Sequence, residues 1–138
     1  MRNCRGGIGK RTPFDIGSAQ TVLLKMLKSK IHRATVTEAR IDYVGSVTID
    51  RTLIEACGLR AGECVLVADM TDGARFETYV VEAPAGSGTI CINGAAARLV
   101  TVGDEVIIMA FGYVTPEQAD AMTPRIVLVD KKNRIRKK

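Results

Sequence analysis

The chain has no tryptophan, three phenylalanines, three tyrosines and one histidine, His32. Aromatics amount to 4% of residues, so little is available for stacking on nucleic-acid bases. The core must be built from Val, Ile, Leu, Ala and Met, which suit close-packed β-structure. No apolar run approaches the ~18 to 20 residues that a membrane-spanning helix needs, and no compact apolar segment with a small-residue cleavage site opens the chain. A cytoplasmic protein with no membrane partner is therefore expected. The four cysteines, Cys4, Cys57, Cys64 and Cys91, include no Cys-x-x-Cys pair. With one histidine beside them, a zinc or other metal site is not expected. Cys57 and Cys91 read as small core residues. The phosphate loop of P-loop proteins and the serine nucleophile elbow are also missing.

What is present fits one globular domain: 138 residues, 46% hydrophobic and 25% charged. The formal charge of +5 looks like a nucleic-acid signal until it is divided along the chain. Residues 1–25 carry +4 and residues 131–138 carry +6, whereas Met26 to Asp130 carries −5. The basicity belongs to the ends, as solvated segments or as an arm able to neutralise phosphates. Three parts follow: an N-terminal extension over 1–25, expected to be disordered because it shows no sustained period; a domain over 26–130; and a basic C-terminal tail over 131–138.

Within the domain, KIHRATVTEARIDY and SVTID read as two strands joined near Gly45. Asp50 reads as the N-cap of a short helix through RTLIEAC, with Leu53, Ile54 and Cys57 on one face and Gly58 as terminator. ECVLVADM and RFETYVVEA flank the turn Thr71-Asp72-Gly73 as a hairpin, with Phe76, Thr78 and Val80 opposite Arg75, Glu77 and Tyr79. TICIN, GDEVIIMAFGYV and RIVLVD read as further strands. Gly94 permits a sharp turn before AAARL, and Pro116 can start a short helix. Six or more short strands with brief helices between them suggest a small closed β-barrel, mainly β in class.

Three separated pieces carry a more specific signal: Lys30-Ile31-His32-Arg33, then Tyr43-Val44-Gly45-Ser46, then Arg75-Phe76-Glu77-Thr78-Tyr79 with Ile92-Asn93-Gly94-Ala95-Ala96-Ala97. Together they resemble the pyruvoyl-dependent aspartate 1-decarboxylase family, in order and separation, from Met26 to about Asp130. The resemblance implies a double-psi β-barrel with short helices, assembled as a homotetramer with active sites between subunits. It also implies a proenzyme that cleaves itself between Gly45 and Ser46, leaving a covalent pyruvoyl group derived from Ser46 as its cofactor. L-aspartate would then be decarboxylated to β-alanine and CO2 through a Schiff base with that group, supplying pantothenate and coenzyme A synthesis. Any accessory maturation factor is unknown.

The chemistry has reasons of its own. A glycine before the serine lets the backbone take strained torsions and leaves its carbonyl open to approach, and the following hydroxyl can attack that carbonyl. Decarboxylation needs an electron sink for the carbanion left at Cα, which a ketone condensed with the substrate amine supplies. By the resemblance, Ser46 and Tyr79 are catalytic, Tyr79 as proton donor, and Gly45, Ser46 and Thr78 take part in processing. Lys30, Arg75, Thr78, Asn93, Gly94, Ala95 and Ala96 would bind substrate. The fork of Arg75 suits a dicarboxylate, and Lys30 adds a second positive charge. His32 and Tyr43 are weaker candidates, since a lone histidine and a strand tyrosine are usually packing residues. The competing reading is a non-catalytic small β-barrel that binds nucleic acid through its basic ends. The negative central region and the lack of an aromatic platform favour the enzyme with no nucleic-acid partner.

Overall fold

A computed structural model describes residues 22–137. The expected disordered extension, including Cys4, lies outside the described residues up to position 21. The first strand, β1, runs Leu24–Thr35, starting two residues ahead of Met26. It is followed by β2 (Glu38–Arg40), β3 (Ser46–Asp50), α1 (Arg51–Cys57), β4 (Cys64–Asp69) and β5 (Arg75–Ala83). Then come β6 (Ile90–Asn93), a 3-10 helix (Gly94–Leu99), β7 (Glu105–Val114), α2 (Pro116–Ala121) and β8 (Arg125–Leu128). The segment expected as one strand from Lys30 to Tyr43 is instead interrupted after Thr35. Its pairing with β7 shifts register between Ile31 and Ala34, and Arg33 between them takes the left-handed φ of 65°. Such a bulge bends the chain, so β1 and its continuation β2 serve different neighbours.

The strand order is β2-β6-β3-β5-β4-β7-β1-β8. In it β3 is inserted between β5 and β6, which are consecutive in the chain, pairing parallel with β5 and antiparallel with β6. In the same way β1 lies between β7 and β8, antiparallel to the first and parallel to the second. Two insertions of this kind are the doubled psi arrangement. Since β1 runs on into β2, and β2 pairs with β6, the order returns on itself. At the join, the Thr37 N–H donates to the Ile90 carbonyl at 2.8 Å. Closure leaves few unpaired edges.

Inside lie Ile31, Val47, Ile49, Val65, Val67, Val80, Ile90, Ile92, Val106 and Ile108, with Leu53 and Ile54 of α1 packed on them. The alternation of β5 holds: Val80 is buried while Arg75, Glu77 and Tyr79 are exposed. Helix α1 begins at Asp50, whose side chain accepts from Thr52 N–H, and ends at Gly58 with φ of 70°. Cys57 and Cys91 are buried, as expected of small core residues. In α2, Thr115 and Gln118 form a reciprocal capping box around Pro116.

The basic segment after Asp130, read from its charge as a solvated tail, has its backbone anchored on the barrel. Asn133 is buried, accepting from Thr35 N–H at 2.7 Å and donating to the carbonyls of Thr35 (2.9 Å) and Gly88 (2.8 Å). Ile135 pairs with Val129 across a single bridge, and Arg136 N–H donates to Leu128. The described Lys and Arg side chains there do face solvent, but a buried amide satisfied by three backbone groups pins the backbone that carries them.

Candidate active site

Ser46 opens β3 directly opposite Asn93, the last residue of β6. Residues on one face of a strand alternate, so Ser46 and Thr48 point the same way, and Asn93 meets both. Its Nδ2 donates to Ser46 Oγ at 3.0 Å and to Thr48 Oγ1 at 3.0 Å. Its Oδ1 accepts from the Cys91 thiol at 3.2 Å. Burial raises the pKa of that thiol, the Glu38 charge adds to the rise and Arg40 opposes it, so the sulfur keeps the proton it donates. Ser46 Oγ–H in turn donates to the Val44 carbonyl at 3.2 Å. The result is a hydroxyl 1% exposed, held by one donor and one acceptor, at the boundary between an ordered strand and an exposed loop.

That loop, residues 41–45, is exposed throughout and borders a shallow concavity of about 480 Å3 lined by Ala39 to Tyr43. The sequence argument valued Gly45 for its backbone freedom and open carbonyl; in the structure Gly45 is not among the glycines with positive φ, and a Cβ there would meet nothing within 4 Å. The need for a bare backbone falls on Gly94, with φ of 71°, where a Cβ would approach Gly45 Cα to 2.7 Å, Gly45 N to 3.0 Å and the Tyr43 carbonyl to 3.3 Å. Gly94 is buried, Ala95 exposed and Ala96 half-buried at the start of the 3-10 helix.

The remaining candidates divide into near and far. β5 pairs parallel with β3 from Val47–Val80 onward, so Ser46 and Tyr79 each stand one residue before the first pair, at the same end of adjacent strands. Thr78, half-buried, and Arg75, exposed, precede them along β5. Lys30 and His32 sit on β1 beside β7 and β8, in the other half of the barrel. Among the described residues, no hydrogen bond links Lys30, His32, Arg75 or Tyr79 to Ser46. The His32 pKa lies below its ordinary value: burial lowers it first, Lys30 and Arg33 lower it further, and Glu105 offsets part. Its Nδ1 is buried with no hydrogen-bond partner among the described residues. Tyr43 is exposed, and its carbonyl faces Gly94 at the corner.

Two contributors were not singled out in the sequence. Thr48 shares the carboxamide of Asn93 with Ser46, a relation legible in the i, i+2 spacing on a strand. Asp50, expected only as a helix cap, also accepts from Gly86 N–H and Gly88 N–H, each at 2.9 Å. It thereby ties the glycine-rich β5–β6 loop to the far end of the Ser46 strand. No local signal marks that contact, which joins residues 36 and 38 positions apart.

Fold and site together define a class: a small double-psi β-barrel with a buried serine hydroxyl held at a strand mouth behind an exposed glycine. The family model that matches the chain, over residues 22–136, is described as "Aspartate decarboxylase". A relative from Caldicellulosiruptor saccharolyticus named aspartate 1-decarboxylase is 58% identical over 114 residues, covering 83% of this chain and 89% of that protein. Another of the same name, from Lactiplantibacillus plantarum, is 56% identical over 117 residues, covering 85% and 90%. The chain belongs to the aspartate decarboxylase family, as the sequence resemblance implied. Among solved structures, the rationally designed mkDPBB_sym_86 protein aligns at 19% identity with a TM-score of 0.43, covering 57% of this chain and 91% of that one.

Proposed function

We propose that this chain decarboxylates L-aspartate to β-alanine and CO2, and that it is made as a proenzyme which cuts itself between Gly45 and Ser46. The observation that carries the reading is the buried Ser46 hydroxyl, fixed by Asn93 and Val44, next to the carbonyl of an exposed glycine. Ser46 Oγ bonds to the Gly45 carbonyl carbon, the Gly45–Ser46 C–N bond breaks, and the hydroxyl proton passes to the freed amine. Loss of the Ser46 Cα proton and cleavage of its Cβ–Oγ bond then release Gly45 as a carboxylate. A water molecule replaces the nitrogen, which leaves as ammonia, and residue 46 becomes a pyruvoyl group.

Ser46 fits that origin because its strand position keeps it dry and because Asn93 Nδ2, already on Oγ, faces the oxygen on which charge develops as the Cβ–Oγ bond breaks. The pyruvoyl ketone supplies the electron sink for loss of CO2. Thr78 and Tyr79, beside Ser46 on β5, take the roles of processing partner and proton donor. Arg75 and Lys30 bind the two carboxylates of the substrate. Lys30 lies on the opposite half of the barrel from Ser46, which favours sites completed between subunits of a homotetramer. The product feeds pantothenate synthesis in the cytoplasm.

Intact mass under denaturing conditions tests the proposal. Cleavage after Gly45 divides the 138 residues into 45 and 93, giving fragments of about 5 and about 10 kDa. The larger must lack the Ser46 amine and resist N-terminal sequencing. A single uncut mass after prolonged warming overturns self-processing.

A further inference from the structure

The corner where β6 turns into the 3-10 helix touches both sides of the Gly45–Ser46 bond with two consecutive residues. On the serine side, the Asn93 carboxamide holds Oγ. On the glycine side there is no side chain at all: Gly94 presents bare backbone, against which Gly45 Cα and N and the Tyr43 carbonyl lie so closely that a Cβ would sit 2.7, 3.0 and 3.3 Å from them. The first of these distances is closer than carbon atoms pack, so loop and methyl cannot occupy the corner together. The would-be Cβ of Gly45 meets open space, so at Gly45 the close packing is on the Gly94 side.

We propose that Gly94 is a positioning residue for self-cleavage, its missing side chain forming the seat that holds Gly45 in register with the Ser46 hydroxyl. The inference rests on the self-processing reading and adds to it a requirement located across the fold, 49 residues further along the chain. A displaced Gly45 moves the carbonyl away from Oγ, and misplacement of reacting atoms by about 1 Å costs on the order of a hundredfold in rate.

The fold contains its own control. Gly88 has nearly the same backbone, φ of 69° against 71°, and a Cβ there would meet a backbone atom almost as closely, the Lys132 carbonyl oxygen at 2.9 Å. It lies at the other end of β6. A general cost of filling a left-handed glycine therefore falls on Gly88→Ala and Gly94→Ala alike, whereas loss of the seat falls on Gly94→Ala only. Asparagine tolerates left-handed φ better than alanine, so Gly88→Asn and Gly94→Asn serve as a second pair should the alanine variants not fold.

The experiment measures first-order cleavage of freshly purified full-length chains by intact mass, with thermal unfolding in parallel. The expected result is Tm lowered similarly in both members of a pair, with cleavage at least about tenfold slower in the Gly94 variant. Cleavage of the Gly94 variant within twofold of its Gly88 counterpart overturns the proposal. Amide hydrogen exchange over residues 43–46 gives a readout independent of cleavage. Faster exchange in the Gly94 variants, unchanged in the Gly88 variants, supports the seat even if the wild-type chain proves uncut, an outcome that removes the self-processing reading alone; equal exchange in all chains overturns the seat.

Discussion

The two ends of the β3–β6 ladder use polar side chains in opposite ways. At the Asp50 end a buried carboxylate is saturated, accepting from the N–H groups of Thr52, Gly86 and Gly88. Next to it Asn133 ties Gly88 to Thr35. At the Ser46 end, a hydroxyl with one donor and one acceptor adjoins a loop that is exposed from Ile41 to Gly45. A charge-assisted bond set locks backbone in place, whereas a neutral hydroxyl that accepts one bond and donates one at a loop boundary keeps a second lone pair free. One end holds the register that the other needs.

Breaking the reactive end has the largest expected effect. Ser46→Ala removes the proposed nucleophile, so the chain should remain a single full-length species that folds but has no decarboxylase activity, read by intact mass and CO2 release. Next comes the neighbouring strand. Tyr79→Phe should still cleave, with turnover reduced by roughly 10²- to 10⁴-fold if its hydroxyl delivers the proton; unchanged kcat would take Tyr79 out of that role. Arg75→Ala should act mainly on kcat/KM for aspartate, by about one to two orders of magnitude, as expected for a charge-assisted carboxylate contact.

At the locked end the effects are on stability. Burial by itself would raise the Asp50 pKa, but the N–H groups of Gly88, Thr52 and Gly86 outweigh it and bring the carboxyl below its ordinary range. A folded-state pKa held low contributes stability that is present above the unfolded value and lost as pH falls through the folded one. Asp50→Asn should therefore cost about 1–3 kcal/mol at neutral pH and flatten the acid side of the stability profile, measured by denaturant midpoints from pH 7 to pH 3.

The smallest effect concerns a third carboxyl, which sharpens the contrast by its sign. Asp69, buried at the end of β4, has its pKa raised by desolvation first, then by the neighbouring Asp104 carboxyl and the charge of Asp72. The Asp104 pKa is lowered, first by Asp69 and then by the Thr101 N–H. Of the two, Asp69 is the carboxyl that takes up a proton first as the pH falls. Its contribution is present below the ordinary aspartate value and lost as pH rises through the raised one. Asp69→Asn, which removes the titrating carboxyl, should remove that loss; denaturant midpoints that still fall on raising the pH would count against the raised Asp69 pKa.

Much of this molecule was legible from residue order because its elements are locally specified. Asp50 and Gly58 bracket α1, Thr71-Asp72-Gly73 closes the hairpin and β5 alternates with period two, each set by neighbours within a few positions. The resemblance of motif fragments to a known family likewise singled out Ser46, Tyr79, Arg75 and Asn93 as candidates without coordinates. Less legible was anything fixed by contact across the chain. The break of β1 into β2 at a bulge depends on which strands lie on either side, and the anchoring of Asn133 depends on two carbonyls, one of them 98 residues away.

Composition, strand spacing and motif order by themselves determined a small mainly β domain, its family, and the candidate serine. Tertiary structure alone decided that the Asn93 carboxamide falls opposite Ser46 and Thr48 and bonds both, that Asp50 grips a distant glycine loop, and that the bare glycine the corner requires is Gly94. The reason is physical: propensity, capping and turn chemistry act between near neighbours in sequence, whereas close approach of backbone to backbone is set by closure of the barrel, which brings residues far apart in the chain to van der Waals contact.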